Sequence, residues 1–228
     1  MAFQRTNTSA RTVVNRTNQA TMSFDTSSPS AYVTTVSIFR GSHWTSGLHW
    51  HETHTEYLQI VQGRAIVQLG EHRREYGPED GVIRVDKFVL HEWGTAPTTA
   101  SEGGVTTGEG DEDDEYELVV REWTDPADGQ KEIFFRNLMG VLEDEKQYRF
   151  QWMMPIQMFV IFGVMDNYPV VFMSRSKRAQ AWATYLTMYV AATAAILLGM
   201  QGVYREYTPQ PLYNIWKGEH GREVQHID

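Results

Sequence analysis

The sequence predicts a mainly β protein in which a single small β-barrel is followed by an amphipathic helix and a C-terminal apolar helix. Segments rich in β-branched and aromatic residues recur between residues 31 and 125, with Gly and Pro turn signals between them. Residues 131–145 then change to a helical period. Further on, residues 179–204 contain no charged side chain. A chain of 228 residues accommodates one barrel domain with such additions.

The first 30 residues are polar and contain no apolar core of the length that a signal peptide requires. We expect residues 1–30 to form a flexible polar arm.

The barrel is expected to occupy residues 31–125. Short strands with turns between them are typical of an all-β sandwich or barrel. The predicted strands are residues 31–39, 57–62, 65–69, 81–85, 88–92 and 116–123. The segment 95–114, rich in Thr, Gly and acidic residues, is expected to be a loop.

Residues 126–149 are expected to contain one helix that packs on the outside of the barrel. Phe134, Leu138, Val141 and Leu142 recur at helical spacing and would share one face.

The C-terminal third becomes apolar. Pro155, Asp166 and Pro169 interrupt residues 150–174, which we therefore expect to be an interfacial or re-entrant segment close to the substrate pocket. Around Asp166 the sequence DNYP indicates a capped turn. Residues 175–206 are long and apolar enough for a transmembrane helix with its flanks, although a buried helix is the alternative.

Basic residues are denser before this helix than after it, with Arg175, Lys177 and Arg178 on one side and Arg205 on the other. The positive-inside tendency then predicts a membrane-anchored protein whose barrel faces the cytosol, at the endoplasmic reticulum. The polar tail, residues 207–228, would lie across the membrane.

The net charge and the absence of cysteine exclude several classes of partner and of catalytic or metal site. A net charge of −9 argues against a nucleic-acid partner, because phosphate binding depends on clustered Lys and Arg. The absence of cysteine excludes disulfides, thiolate metal sites and a catalytic thiol.

Residues 47–63, GLHWHETHTEYLQIVQG, carry a spaced set of metal-ligand residue types. His49 and His51 would project to the same side of a strand, because successive strand residues point to opposite faces. Glu56 follows after a bend, and His91 ends a second apolar stretch. Three imidazoles and one carboxylate suit a divalent metal. His54 is the alternative to Glu56 as the fourth ligand.

The pattern H-x-H, four residues, Glu, six residues, Gly, followed by a second segment that ends in His, resembles the two cupin motifs over residues 34–96. The resemblance implies a jelly-roll barrel in which His49, His51, Glu56 and His91 bind a divalent metal. Fe(II) is the first expectation, with Mn(II), Ni(II), Co(II) and Zn(II) as alternatives. The second motif departs from the family, which has Pro and Gly just before the last His, whereas residues 81–91 read GVIRVDKFVLH.

The runs HWHETHTEY and GPEDG are similar to those of fungal cupin-domain oxidoreductases of polyketide and other secondary-metabolite pathways. That similarity implies a metal-dependent oxidoreductase or dioxygenase acting on a hydrophobic small molecule. One alternative is a non-redox isomerase, cyclase or dehydratase, in which the metal is a Lewis acid and His54 or Glu52 moves a proton. Another is a membrane-tethered binding or scaffold protein without turnover. The membrane, a second copy of the chain and partner biosynthetic enzymes are the expected partners.

Overall fold

A computed structural model of the chain describes residues 4–25, 32–97 and 116–223, with side chains up to residue 218. Within these ranges the strands are β1 (Val13–Arg16), β2 (Ala20–Phe24), β3 (Thr34–Phe39), β4 (His49–Trp50), β5 (Thr55–Gln62), β6 (Ala65–Leu69), β7 (His72–Tyr76), β8 (Val82–Val85), β9 (His91–Thr95), β10 (Tyr116–Asp125) and β11 (Tyr168–Pro169). The α-helices are α1 (Gln130–Glu143), α2 (Met153–Val164), α3 (Lys177–Leu198) and α4 (Gln210–Glu223). Most of the loop expected at residues 95–114 lies outside the described residues.

The strands form two antiparallel sheets, in the orders β1-β2-β3-β10-β5-β8 and β11-β4-β9-β6-β7. Alternate residues of β3 and β10 are buried, which places one face of the first sheet on the core. Ile38, Leu58 and Leu118 of this sheet and Val67 and Trp93 of the second are almost fully buried. The expected mainly β architecture is therefore present as a two-sheet sandwich.

The prediction of a flexible arm over residues 1–30 is wrong for residues 4–25. β1 pairs with β2, and β2 pairs with β3, so the N-terminal hairpin extends the first sheet. Met22 and Phe24 are buried there. The period-2 placement of these few apolar residues directs them to one face, and the high overall polarity of the segment obscures that pattern.

The helix predicted within residues 126–149 is present as α1, but it does more than cover the outside of the barrel. It contacts β1, β10, α2 and α4. These neighbours bury it on several faces, including Lys131 and Arg136. The Lys131 side chain reaches the carboxylates of Glu56 and Glu122 inside the barrel.

The apolar segment 150–174 forms a helix and a short strand. α2 packs against α1 and α3, and β11 pairs with β4. Pro155 lies in the first turn of α2, where a missing N–H costs no intrahelical hydrogen bond. The interfacial placement of this segment stays a prediction.

By length and composition, α3 is able to cross a membrane. One stripe of the helix packs along α2, whereas most of its other large apolar side chains are exposed. The buried stripe consists of Gln180, Thr184, Met188, Ala191 and Ala195. α3 therefore lies lengthwise on the rest of the protein.

The expectation that the tail lies across a membrane from the barrel is wrong for its described part. The N–H of Thr8 donates to the carbonyl of Glu206 at 2.8 Å, and Nδ2 of Asn137 donates to Oγ1 of Thr208 at 2.9 Å. Tyr207 is fully buried, and its hydroxyl donates to Asp144. These contacts hold the segment after α3 against α1 and the N-terminal segment.

Candidate metal centre

The four predicted ligands meet inside the sandwich. His49 lies in β4, His51 directly follows it, Glu56 lies in β5 and His91 begins β9. His49 and His91 face each other across the β4–β9 pairing. One donor atom from each of the four residues lies within 4.8 Å of the others, and all four side chains are buried.

Backbone carbonyls fix the orientation of all three imidazoles. Nδ1 of His49 lies 2.7 Å from the carbonyl oxygen of Gly47, and Nδ1 of His91 lies 2.9 Å from that of Val89. Nδ1 of His51 lies 2.5 Å from the carbonyl oxygen of Asp166. A carbonyl oxygen only accepts hydrogen bonds, so each Nδ1 carries a proton, and in a neutral ring Nε2 then keeps its lone pair. This tautomer is the one in which Nε2 binds a metal.

Burial favours the uncharged form of His49 and His51. It lowers the pKa of His49 well below the usual value, and the neighbouring His91 and His51 lower it further. Burial also lowers the pKa of His51, although the adjacent Glu56 opposes that shift. Neutral imidazole is the form that coordinates a metal ion.

Glu56 completes the donor set as a carboxylate. Its Oε2 lies 2.7 Å from Nε2 of His51, 3.3 Å from Nε2 of His91 and 3.0 Å from Nζ of Lys131. Burial opposes its ionisation, but the neighbouring groups, first among them the Lys131 ammonium, outweigh burial and hold its pKa well below the usual range. Three imidazoles and one carboxylate, without sulfur, fit a divalent ion such as Fe(II), Mn(II) or Zn(II).

An antiparallel two-sheet sandwich that encloses these four donors, at the sequence spacing described above, decides the fold. The protein has a cupin fold. No family model matches the chain, and a search of curated proteins finds no match.

Among solved structures, the chain is similar to KdgF from a Halomonas species, with 17% identity and a TM-score of 0.35 over 49% of this chain and 84% of that one. It is also similar to the capsular polysaccharide assembling protein CapF from Staphylococcus aureus, with 16% identity and a TM-score of 0.34 over 49% of this chain and 29% of that one. A third similar structure is a cupin 2 domain-containing protein from Halorhodospira halophila, with 15% identity and a TM-score of 0.32 over 47% of this chain and 65% of that one.

His54 does not join the cluster of four donors. Its Nε2 lies 2.9 Å from Oδ2 of Asp128, and its Nδ1 lies 2.9 Å from Oδ2 of Asp166. Burial lowers its pKa, but the two carboxylates outweigh burial and raise the pKa to about 9. A protonated imidazole has no lone pair for a metal, and Glu56, not His54, lies with the three imidazoles.

Glu52 faces a different part of the surface. Its Oε1 accepts hydrogen bonds from the Tyr185 hydroxyl at 2.5 Å and from Nε1 of Trp50 at 3.1 Å. Trp50 and Tyr185 line a groove of about 390 Å³ between α3 and the barrel. Neither Glu52 nor His54 is among the described residues that line the cavity at the metal cluster. Their proton-transfer roles stay predictions.

That cavity, which we call the inner cavity, measures about 230 Å³ and extends from the metal cluster to α1 and α2. Its inner end is lined by His49, Glu56, Glu122 and Lys131. The described apolar residues of α1 and α2 that line it are Phe134, Phe135, Leu138, Met139, Leu142, Met158 and Phe162. The polar end and the apolar wall together resemble a small-molecule site.

Glu122 is a buried acid in this cavity that the sequence analysis did not single out. Its Oε1 accepts a hydrogen bond from Nε1 of Trp93 at 2.7 Å, and its Oε2 lies 3.5 Å from Nζ of Lys131. Burial raises its pKa to about 7, and Lys131 limits the rise. The sequence could have indicated this residue, because Glu122 lies two and four positions after the core residues Val120 and Leu118 of β10 and therefore on the same face of the strand.

Asp166 was predicted only as part of a capped turn, yet it organises the loop that follows β4. Its carboxylate accepts the backbone N–H groups of Glu52, Thr53 and His54 at 2.9 to 3.0 Å. Burial opposes its ionisation, but His54 and these N–H groups lower its pKa to about 2. Its backbone has a φ of 49°, in the left-handed region that Asp tolerates.

Proposed function

We propose that this cupin is a metal-dependent oxidoreductase that acts on an apolar metabolite carrying at least one oxygen donor. The observation that carries the proposal is the inner cavity, which joins the four-donor cluster to an apolar wall. A substrate in this cavity would place one end beside the donors and its body against α1 and α2.

The chain's own residues explain what such a site is able to do. Three imidazoles of fixed tautomer and the Glu56 carboxylate would hold a divalent ion. A bound ion would supply a redox centre or a Lewis acid. The side chains of Phe134, Phe135 and Phe162 exclude water from the body of the substrate, which strengthens electrostatic interactions at the polar end.

The finer assignment to polyketide-type secondary metabolism belongs to the same proposal. It is supported by the sequence resemblance to fungal cupin oxidoreductases and by the apolar lining of the inner cavity. A homodimer and partner biosynthetic enzymes stay predictions.

A second candidate is a non-redox isomerase, cyclase or dehydratase. Glu122 favours it, because a cavity carboxyl with a pKa of about 7 is suited to giving and taking a proton at neutral pH. In that case Glu122 would hold or move the proton, and an ion held by the four donors would supply Lewis acidity.

Metal analysis of the full-length protein tests the basis of both candidates. We expect about one ion per chain after anaerobic reconstitution with Fe(II), Mn(II) or Zn(II), and less than a tenth of that in His49→Ala/His51→Ala. His91→Gln should lose most of the ion, whereas His72→Gln, at an exposed position of β7, should retain it and serves as the matched control. A wild type without any of these ions would favour the non-catalytic binding protein.

The identity of the active ion separates the two candidates once a substrate is known. O₂ consumption that requires Fe(II) supports the oxidoreductase. Equal turnover with Zn(II) and without O₂ supports the non-redox enzyme, because Zn(II) has no redox chemistry.

We also propose that α3 attaches the protein to a membrane surface and lies in the plane of that surface. The exposed side of α3 carries large apolar side chains, including Trp182, Leu186 and Leu197. Lys177 and Arg178 begin the helix, as expected for a helix at an anionic surface. Attachment to the cytosolic side of the endoplasmic reticulum stays a prediction.

A further inference from the structure

Lys131 is a buried cation at the inner end of the cavity. Its side chain is only 6% exposed, and its Nζ lies 3.0 Å from Oε2 of Glu56 and 3.5 Å from Oε2 of Glu122. An ammonium group has three N–H donors. Pairing with two carboxylates therefore leaves one donor for a molecule bound in the cavity.

The position of Lys131 on α1 determines what kind of molecule fits. The apolar cavity residues of α1 lie three, four, seven, eight and eleven positions after Lys131, which places all of them on its face of the helix. These residues are Phe134, Phe135, Leu138, Met139 and Leu142. At about 1.5 Å per residue, that face extends roughly 16 Å from the cation. A ligand that matches it has one polar end and an apolar body.

The charges that line the inner cavity indicate the sign of that polar end. Among the described lining residues, the charged side chains are the exposed Arg16 and the buried Lys131, Glu56 and Glu122. The buried set carries one positive and at most two negative charges, so a bound divalent ion would leave an excess of positive charge. Uncompensated charge in a water-poor cavity is costly, and an anionic ligand removes the cost.

We propose that Lys131 binds the anionic head group of the substrate, and that the substrate is an apolar molecule with one carboxylate or enolate oxygen at its end. The inference rests on the proposed function, because it takes the inner cavity as the substrate site. Lys131 thereby determines specificity. It neutralises the head group while the aromatic side chains of α1 contact the apolar body.

Binding of paired probes to Zn(II)-loaded protein tests this inference without turnover. The probes are benzoate and 3-phenylpropanoate, each compared with the neutral alcohol of the same skeleton, benzyl alcohol and 3-phenylpropan-1-ol. Calorimetry should show that the wild type binds at least one carboxylate roughly 10- to 100-fold more tightly than its alcohol, which is typical of a buried charge-assisted hydrogen bond.

Three variants test whether Lys131 causes the preference for the carboxylate over the alcohol. Lys131→Met should keep its Zn(II) and its affinity for the alcohols, but should lose the preference for the carboxylate. Lys131→Arg keeps the charge and should retain part of that preference. Lys177→Met is the matched control, because the Lys177 side chain is 73% exposed and lies outside the inner cavity, and it should behave like the wild type.

Two results would overturn the inference. The first is that the Zn(II)-loaded wild type binds no probe, or binds the carboxylate and the alcohol of each pair equally. This result is decisive even if Lys131→Met fails to fold, because it needs only the wild type. The other is a folded, metal-loaded Lys131→Met that keeps the full carboxylate preference. A chain that takes up no Zn(II), Fe(II) or Mn(II) contradicts the proposed function as well, so the two failures are distinguishable.

Discussion

The backbone carbonyl oxygen of Asp166 accepts a hydrogen bond from Nδ1 of His51 at 2.5 Å, across 115 residues of sequence. The carboxylate of Asp166 simultaneously holds three backbone N–H groups of the loop after His51. Asp166 lies in the turn between α2 and β11, outside the two metal motifs. The C-terminal part of the chain is therefore needed to orient a ligand of the cupin barrel.

Asp166→Ala should weaken metal binding although Asp166 is not a ligand. The substitution removes the acceptor of three N–H groups and a partner of His54, so the turn that aims its carbonyl at His51 relaxes. Loss of a group that orients a ligand typically costs roughly 10- to 100-fold in metal affinity. Competition with a chelator of known affinity measures the change. Asp86→Ala, at a side chain 62% exposed, is the control and should leave the affinity unchanged.

Glu122 should make the stability of the metal-free protein fall as the pH rises. The pKa of a free Glu is 4.5, and burial raises that of Glu122 to about 7. The folded state therefore binds this proton more tightly than the unfolded state. The resulting stabilisation is complete below pH 4.5 and is lost as the pH rises through about 7.

Urea unfolding in EDTA at several pH values checks this expectation for Glu122→Gln. The variant should match the wild type near pH 4.5 and exceed its free energy of unfolding by on the order of 2 kcal/mol near pH 8. Glu71→Gln, at a side chain 84% exposed, should follow the wild type throughout. A constant difference between Glu122→Gln and the wild type at all pH values would contradict the raised pKa.

The sequence predicts the metal ligands because their signal is local. His49, His51 and Glu56 lie within eight residues of each other, and strand parity alone brings the two imidazoles to one side. The remaining residues of the site are supplied by elements that pack from a distance. Lys131 reaches Glu56 because α1 packs on the barrel, and Asp166 lies beside the metal cluster because β11 pairs with β4.

The same distinction explains what the sequence does not show of the fold. The transmembrane helix at α3 stays a prediction, and its length and composition do not encode the stripe that packs on α2. The N-terminal arm was expected to be flexible because polar residues dominate its composition, whereas a hairpin needs only a few apolar residues at period 2. Partners that are distant in sequence decide both cases.

Gly140→Ala should destabilise the protein because the segment after α3 docks on α1. A Cβ at Gly140 would lie 2.4 Å from Cδ1 of Tyr207. Overpacking of this kind typically costs about 1 to 3 kcal/mol. Chemical denaturation measures the loss, and Tyr207→Leu in the Gly140→Ala background should recover part of it by removing the ring.

Gly218→Ala is the matched control for this helical glycine. A Cβ there meets no atom within 4 Å, so α4 should gain up to about 1 kcal/mol from the better helix former. A Gly140→Ala variant as stable as the wild type would show that Tyr207 does not pack on α1.

The exposed side of α3 should bind anionic vesicles. The triple variant Leu186→Glu, Ile196→Glu, Leu197→Glu places charges at side chains that are 64%, 78% and 83% exposed, so it should fold normally. Its binding to phosphatidylcholine–phosphatidylserine vesicles, measured by sedimentation, should fall by more than about tenfold, because each charge opposes burial in the interface. Binding by the wild type should weaken with salt, since Lys177 and Arg178 attract the anionic headgroups.

The control for that variant introduces the same number of charges elsewhere, at Val61, Val82 and Phe88, which are 48%, 50% and 65% exposed and lie outside α3. It should bind vesicles like the wild type. Alkaline carbonate should release the native protein from membranes, because a helix in the plane of the surface, as we propose for α3, is held less firmly than one that spans the bilayer. The wild type could instead fail to bind vesicles and form a dimer, while the α3 triple variant is a monomer. That result would show that the exposed face of α3 binds a second copy of the chain.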